Sequence, residues 1–230
     1  MSFFLLHGDH LSQSRLYMQS LIDSYKKRGI KDITRLKYSP QILSETIQSI
    51  ESISLFQTPR LTIIEDLFHF PSLTIKKDVI NYLITLKSNN SYHLIIWDSK
   101  KLSLSQTKKF NHFTIKSFTI SPVIFKFLNS ISPHHQTSFL PLFYQTINKD
   151  GAEFIFIMLI RHFRQLIQVG SSNCPLPPWQ LSQLKHQSQL FSPELLLNTY
   201  DQLLSIDWRV KTGHSPLGLL TELELLLAKI

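Results

Sequence analysis

The pattern of apolar and polar positions changes character about halfway along the chain. In the first half, short apolar runs alternate with helical stripes. Phe3 to Leu6 is an apolar run that stops at Gly8, which reads as a buried strand and its exit turn. Met18, Leu21, Ile22 and Tyr25 then recur at helical spacing, with Gly29 as a stop. Ile33 to Tyr38 reads as a second strand, and Ser39-Pro40 as the opening of a helix marked by Leu43, Ile47 and Ile50. Arg60 to Glu65 reads as a third strand, and Val79, Ile80, Leu83 and Ile84 mark a third helix. Tyr92 to Trp97 is a long apolar run, as expected of a parallel strand covered on both faces. Ile115 to Ile120 reads as a fifth strand. This alternation predicts an α/β domain with a parallel sheet and right-handed crossovers over residues 1–120.

From about residue 121 only the helical period remains. Ser-Pro recurs at 39–40, 121–122, 132–133, 192–193 and 215–216. Each pair can place Ser at a helix N-cap and Pro at the first helical position, where its missing N–H costs nothing; phosphorylation is the other reading. Phe154, Ile155, Met158 and Leu159 lie in a helix apolar almost all round, which predicts a central place in a bundle. Pro175, Pro177 and Pro178 form a rigid connector, and Gly213 stops the helix that begins at Pro193. Leu219, Leu220, Leu223, Leu226 and Leu227 mark the last helix. Residues 121–230 therefore read as an all-α bundle of five or six helices.

Composition narrows the classes. Hydrophobic residues make up 43% and charged residues 17%, a folding globular composition. The formal charge of +8 and pI of about 9.5 favour an anionic partner. Cys174 is the single cysteine, which excludes an internal disulfide or a multi-cysteine metal site. The longest apolar run, Phe154 to Ile160, falls far below the roughly 20 residues of a membrane span. The chain start lacks a basic segment ahead of its apolar run, so no signal peptide is expected. The expectation is a soluble cytoplasmic protein with no membrane contact.

The chemistry is notable for what is missing. His7-Gly8-Asp9-His10 stands where a nucleotide-binding α/β protein would carry a phosphate loop. Such a loop needs several glycines, a Lys and a hydroxyl; here there is one Gly, no Lys and the acidic Asp9. No ATPase site and no cofactor are expected. Glu65-Asp66 is similar to the strand-end acidic pair of P-loop ATPases, and reads as a solvated strand end in the absence of the loop. A different reading gathers Asp9, Glu65, Asp66 and Asp98 at strand ends as acids or metal ligands of an enzyme acting on nucleotides or nucleic acid. The ten histidines show no metal-binding spacing. Arg161 and Arg164 interrupt the most apolar helix at i, i+3 and share a face, suited to a subunit or phosphate contact or to snorkelling from the bundle edge.

Ser54-Leu55-Phe56-Gln57-Thr58-Pro59 joins the second helix to the third strand. Large apolar side chains in a connection are either a local plug or an anchor for another protein's pocket.

Taken in order, these landmarks resemble the bacterial DNA polymerase III delta subunit family. Asp207-Trp208-Arg209-Val210-Lys211-Thr212-Gly213, then Pro216 and a Leu-rich helix, is similar to that family's C-terminal end. Arg161-His162-Phe163-Arg164-Gln165-Leu166 is similar to its Arg-Gln-Phe-Arg-x-Leu helix, and Pro178-Trp179 with Phe191-Ser192 to further landmarks. Leu6-His7-Gly8-Asp9 resembles its opening. Ser54-Leu55-Phe56 ahead of Arg60 to Glu65 resembles the segment with which that subunit grips the sliding clamp. The family usually carries a small helical lid domain after its α/β domain, for which residues 121–150 leave no room; the chain reads as a short form. The resemblance implies a P-loop-ATPase-like core without a phosphate loop, followed by a collar-type bundle. It implies a clamp-loader subunit with no catalytic site of its own, within a DNA-directed DNA polymerase complex. Its expected partners are a sliding clamp through Ser54, Leu55, Phe56, Gln57 and Pro59, other loader subunits through residues 121–230, and primed DNA. Arg161, Arg164 and Lys211 are the expected subunit or DNA contacts.

Overall fold

The computed structural model describes residues 3–51, 59–86, 92–169 and 176–230. They fall into two compact units, 1–120 and 121–230. In the first unit, β1 (Phe3–His7), β2 (Asp32–Leu36), β3 (Arg60–Glu65), β4 (Tyr92–Asp98) and β5 (Thr114–Ser117) form a parallel sheet in the order β2-β3-β4-β1-β5. The fold class is the one expected, a parallel α/β unit followed by helices. The apolar strands alternate between two cores, as the period of 2 requires. Leu6, Ile63, Ile95 and Trp97 meet Met18, Ile22 and Tyr25 of α1 (Leu11–Lys27). Leu5, Ile64, Leu94 and Ile96 meet Ile42 and Ile50 of α2 (Ile42–Glu51) and Val79 and Leu83 of α3 (Leu73–Thr85). With both faces covered, β4 is buried at every position after Tyr92.

Two strands are displaced from their expected limits. β2 ends at Leu36, and the exposed Lys37 and Tyr38 leave the sheet. β5 starts at Thr114 and ends at Ser117, and all four of its residues are exposed, as befits an edge strand. Phe118 then continues one step, donating its N–H to His7 O at 2.8 Å. Between β4 and β5 the chain forms the short α4 (Leu104–Thr107) and a 3₁₀ turn, Lys108–Phe110.

The second unit holds α5 (Pro122–Ser130), α6 (Gln136–Asp150), α7 (Ala152–Gln168), α8 (Pro178–Ser188), α9 (Pro193–Lys211) and α10 (Leu219–Leu227). The apolar helix α7 is central: it packs against α5, α6, α8, α9 and α10. Ser121 and Ser192 cap α5 and α9, accepting from Val123 N and Leu195 N. The other three Ser-Pro pairs do not start helices. Ser39 Oγ donates to Glu45 Oε1 at 2.8 Å, and Ser215 Oγ donates to Glu222 Oε1 at 2.9 Å, so these hydroxyls are turned toward carboxylates rather than toward the first N–H groups of a helix. Ser132-Pro133 leads into a turn in which His134 takes a positive φ of 62°, and α6 begins only at Gln136. No described helix is long and apolar enough to cross a membrane.

Candidate functional site

The register puts the carboxyl ends of the inner strands side by side: His7 pairs with Asp98 and with Ser117, and Glu65 with Trp97. This edge holds most of the unit's buried polar side chains, and it is where an α/β sheet builds a site. Each group there already has a structural task.

The turn after β1 is closed against the chain that follows β5. Gly8 has φ 138°, and a Cβ on it would lie 1.8 Å from the Phe118 carbonyl oxygen. His10 N–H donates to that oxygen at 3.0 Å. The His10 ring, fully buried, caps α1 by accepting from Gln13 N through Nδ1. Asp9 Oδ1 accepts from Ile120 N at 3.0 Å. The polar groups of the turn thus face backbone rather than an open cradle.

Glu65 is not the solvated strand end that its position suggests: it is 5% exposed. Its carboxylate lies 3.1 Å from Arg15 Nη1 and 3.8 Å from Arg35 Nη1. The Arg15 guanidinium also lies 3.5 Å from the Trp97 ring centroid, while Trp97 Nε1 donates to Ser14 Oγ at 3.1 Å. The acid therefore locks α1 onto β3 and β4.

Asp66, next in sequence, points elsewhere. It takes a left-handed φ of 54°, and its Oδ1 accepts from Ser99 N at 3.0 Å. Asp98 is fully buried; its Oδ2 accepts from Phe68 N at 2.9 Å and its Oδ1 from Lys100 N at 3.2 Å. Burial pushes the Asp98 carboxyl above the usual range, against the pull of these donors and of His69. His69 Nδ1 lies 3.0 Å from Asp98 Oδ1 and 3.7 Å from Asp66 Oδ1. Asp66, His69 and Asp98 form the group, among the described residues, whose donor atoms all fall within 4.8 Å and would suit a divalent ion. An ion there would compete with the three backbone N–H groups that the two carboxylates accept. Glu65 and Asp9 stand outside the group, so the four strand-end acids do not gather in one place. His69 was not singled out by the sequence; the Asp-x-x-His spacing after a strand is the signal that marks it.

Ser54, Leu55, Phe56, Gln57 and Cys174 lie outside the described residues. Pro59 is half-buried directly ahead of β3. In the second unit, Arg164 Nε donates to Tyr200 OH at 3.0 Å, tying α7 to α9, and Lys211 Nζ reaches Asp207 Oδ2 at 2.6 Å one turn back. Arg161 is exposed and lines a cavity of about 310 Å³ with Phe125, Met158, His162 and Trp179. Burial holds His162 down to about 4.

No family model matches the chain, and no curated protein matches it. Among solved structures the chain is similar to a DNA clamp loader delta protein of Bacillus subtilis, with 15% identity and a TM-score of 0.46, over 99% of this chain and 94% of that one. It is also similar to a DNA polymerase III gamma subunit-related protein of Thermotoga maritima, with 13% identity and a TM-score of 0.37, over 99% of this chain and 93% of that one.

Proposed function

We propose that this chain is a delta-like subunit of a clamp loader, a short form lacking the middle lid, that binds a sliding clamp and favours its open ring in the bacterial cytoplasm. It would work within a DNA polymerase III holoenzyme, with ATP hydrolysis left to partner subunits. The observation that carries the reading is the closed turn after β1. A parallel sheet whose first turn is closed by the Phe118 peptide offers no open cradle for phosphates there, which supports a subunit that acts by binding rather than by hydrolysis. The order of the landmarks from Leu6-His7-Gly8-Asp9 to the Lys211-Thr212-Gly213 end supports it.

Leu55 and Phe56 are the proposed wedge, with Ser54, Gln57 and Pro59 shaping the connection. Pro59 withholds a backbone donor next to β3. Burying two such side chains is worth roughly 3–6 kcal/mol before ordering costs. If the contact exists only with the open ring, that is enough to shift ring opening by orders of magnitude. Residues 121–230 would pack with other loader subunits, with Arg161 exposed for such a contact.

The test is a titration of the cognate clamp with the wild-type protein and with Leu55→Ala/Phe56→Ala. The double variant should lose at least tenfold in affinity while keeping its thermal unfolding profile. Equal affinity would remove the proposed wedge.

A further inference from the structure

The net charge of +8 is not shared evenly. Residues 1–120 hold 16 Lys and Arg against 9 Asp and Glu, whereas residues 121–230 hold 8 against 7. Much of the excess lies just after β4. From Ser99 to Ile120 there are five lysines and no acidic residue. Lys100, Lys101, Lys108 and Lys109 occupy one connection, which leaves the carboxyl end of β4 and runs back to the start of β5. All four are exposed. Among the described residues none of them forms an ion pair. The fifth, Lys116, is set apart: its ammonium lies 4.1 Å from the ring centroid of Tyr17, on the α1 side of the sheet.

The backbone that carries the four lysines is held at three points. Leu102 N–H donates to His7 Nδ1 at 3.2 Å. Burial lowers the His7 pKa, and Lys101 lowers it further, so the ring stays neutral and can accept. Ser103 and Gln106 form a capping box that starts α4. Phe110 and Phe113 are buried in the core on the α2 and α3 side. The acids that border the strip, Asp66 and Asp98, accept from Ser99 N, Lys100 N and Phe68 N. Among the described residues these four like charges have no ion-pair partner, and they raise the positive potential along this connection. They become favourable when an anion spans them.

We propose that this lysine strip is a phosphate-contact surface for duplex DNA that reads no sequence. Lysine is a compact point charge without the guanidinium fork that suits base edges. The connection exposes no Phe, Tyr or Trp, since Phe110 and Phe113 are buried, and its one exposed ring, His112, is packed edge-on against Phe113 and Phe3, so it offers no row of free rings on which unpaired bases could stack. Leu104 is its one large exposed apolar side chain, and it has no arginine, so it also lacks the aromatic and arginine anchors of a protein interface. The proposal gives the clamp-loader reading a point of contact with DNA, but its ground is the charge pattern and its test needs no clamp.

The test is fluorescence anisotropy with a labelled duplex of about 20 bp, from about 50 to 200 mM NaCl. Four phosphate contacts predict a slope of log K against log salt of about −3.6, and so a loss of about 150-fold across that range. The variant Lys100→Gln/Lys101→Gln/Lys108→Gln/Lys109→Gln should bind at least tenfold more weakly at the lowest salt and lose most of the slope. A charge-matched variant, Lys26→Gln/Lys27→Gln/Lys31→Gln/Lys37→Gln, should keep both. Equal losses in the two variants would mean that net charge alone binds DNA, and would overturn the proposal. So would a flat salt slope in the wild type, a reading that depends on no variant folding. A labelled single strand bound more tightly than the duplex, or poly-glutamate displacing DNA at equal charge concentration, would assign the strip to another partner and overturn it as well. Retained clamp binding by the strip variant would separate this surface from Leu55 and Phe56.

Discussion

Replacing Gly8 by alanine tests the closed turn directly. The added Cβ would sit 1.8 Å from the Phe118 carbonyl oxygen, 2.5 Å from its carbon and 2.8 Å from its nitrogen. All three are backbone atoms, so no side chain can swing aside. Relief requires the Phe118 peptide to shift by more than an ångström. That shift would strain Phe118 N–H to His7 O at 2.8 Å and His10 N–H to Phe118 O at 3.0 Å. A φ of 138° adds conformational strain of about 1–3 kcal/mol for any residue with a Cβ. The displaced backbone bonds contribute about 1 kcal/mol each. Together these predict a loss of about 3–5 kcal/mol. Gly29→Ala is the control: its φ is 89° and nothing lies within 4 Å, so only the strain applies. The readout is urea unfolding followed by Trp97, which is 2% exposed, in a background where Trp179 and Trp208 are replaced by Phe. A Gly8→Ala variant no less stable than Gly29→Ala would refute the close approach, and with it the observation on which the functional reading stands.

Three further outcomes are expected. Calorimetry with ATP and Mg²⁺ should give no heat of specific binding at micromolar to millimolar nucleotide; a micromolar affinity would mean that the turn after β1 opens. Gln187 is 4% exposed, and its Nε2 donates to Leu128 O at 2.8 Å and Ile131 O at 2.9 Å, closing the end of α5. Gln187→Leu should cost about 2–4 kcal/mol by leaving two buried carbonyls without donors, and a loss below 1 kcal/mol in urea unfolding read at Trp179 would contradict that. His162 titrates at about 4 because burial disfavours its charged form. The folded state therefore binds fewer protons than the unfolded state between about pH 4 and 6.5. Its contribution is complete above that window and is lost as pH falls, by about 2 kcal/mol at pH 5. His162→Gln should flatten this part of the stability profile; an unchanged profile would assign it elsewhere.

What the sequence revealed follows from the range of the interactions. Strands β1, β3 and β4 were legible because both faces are buried, which leaves long apolar runs at Phe3 to Leu6, Leu61 to Ile64 and Leu94 to Trp97. The edge strands β2 and β5 were displaced because their limits are set by pairing with a neighbour, and exposure removes the apolar signal. Ser121 and Ser192 were legible as caps because capping is local. Ser39 and Ser215 were not, since the carboxylates that accept from their hydroxyls lie six and seven residues away. At the strand ends the lack of a glycine-rich, lysine-bearing turn is read directly from His7-Gly8-Asp9-His10. That Glu65 would be buried between Arg15 and Arg35, 50 and 30 residues before it, was not. His69 was missed for the same reason, because its nearest partner, Asp98, belongs to the next strand.

The closed turn also bears on why an anion would not find its way back in. A helix N-terminus binds phosphate because its first N–H groups are unpaired and its dipole is positive there. At α1 the Gln13 N–H is taken by the His10 ring, and Leu11 N–H by Asp9 O. The Phe118 carbonyl presents its oxygen, the negative end of its dipole, to Gly8 and His10. Asp9 adds a carboxylate bonded to Ile120 N. An arriving phosphate would have to displace a carbonyl, an imidazole and a carboxylate, gaining no lysine in return, since none stands in the turn. Desolvating the anion against two acceptors is unfavourable at any distance short of contact with the buried donors. The residues that close the turn thus do more than omit the phosphate loop. They replace it with a backbone brace between β1, α1 and the end of β5.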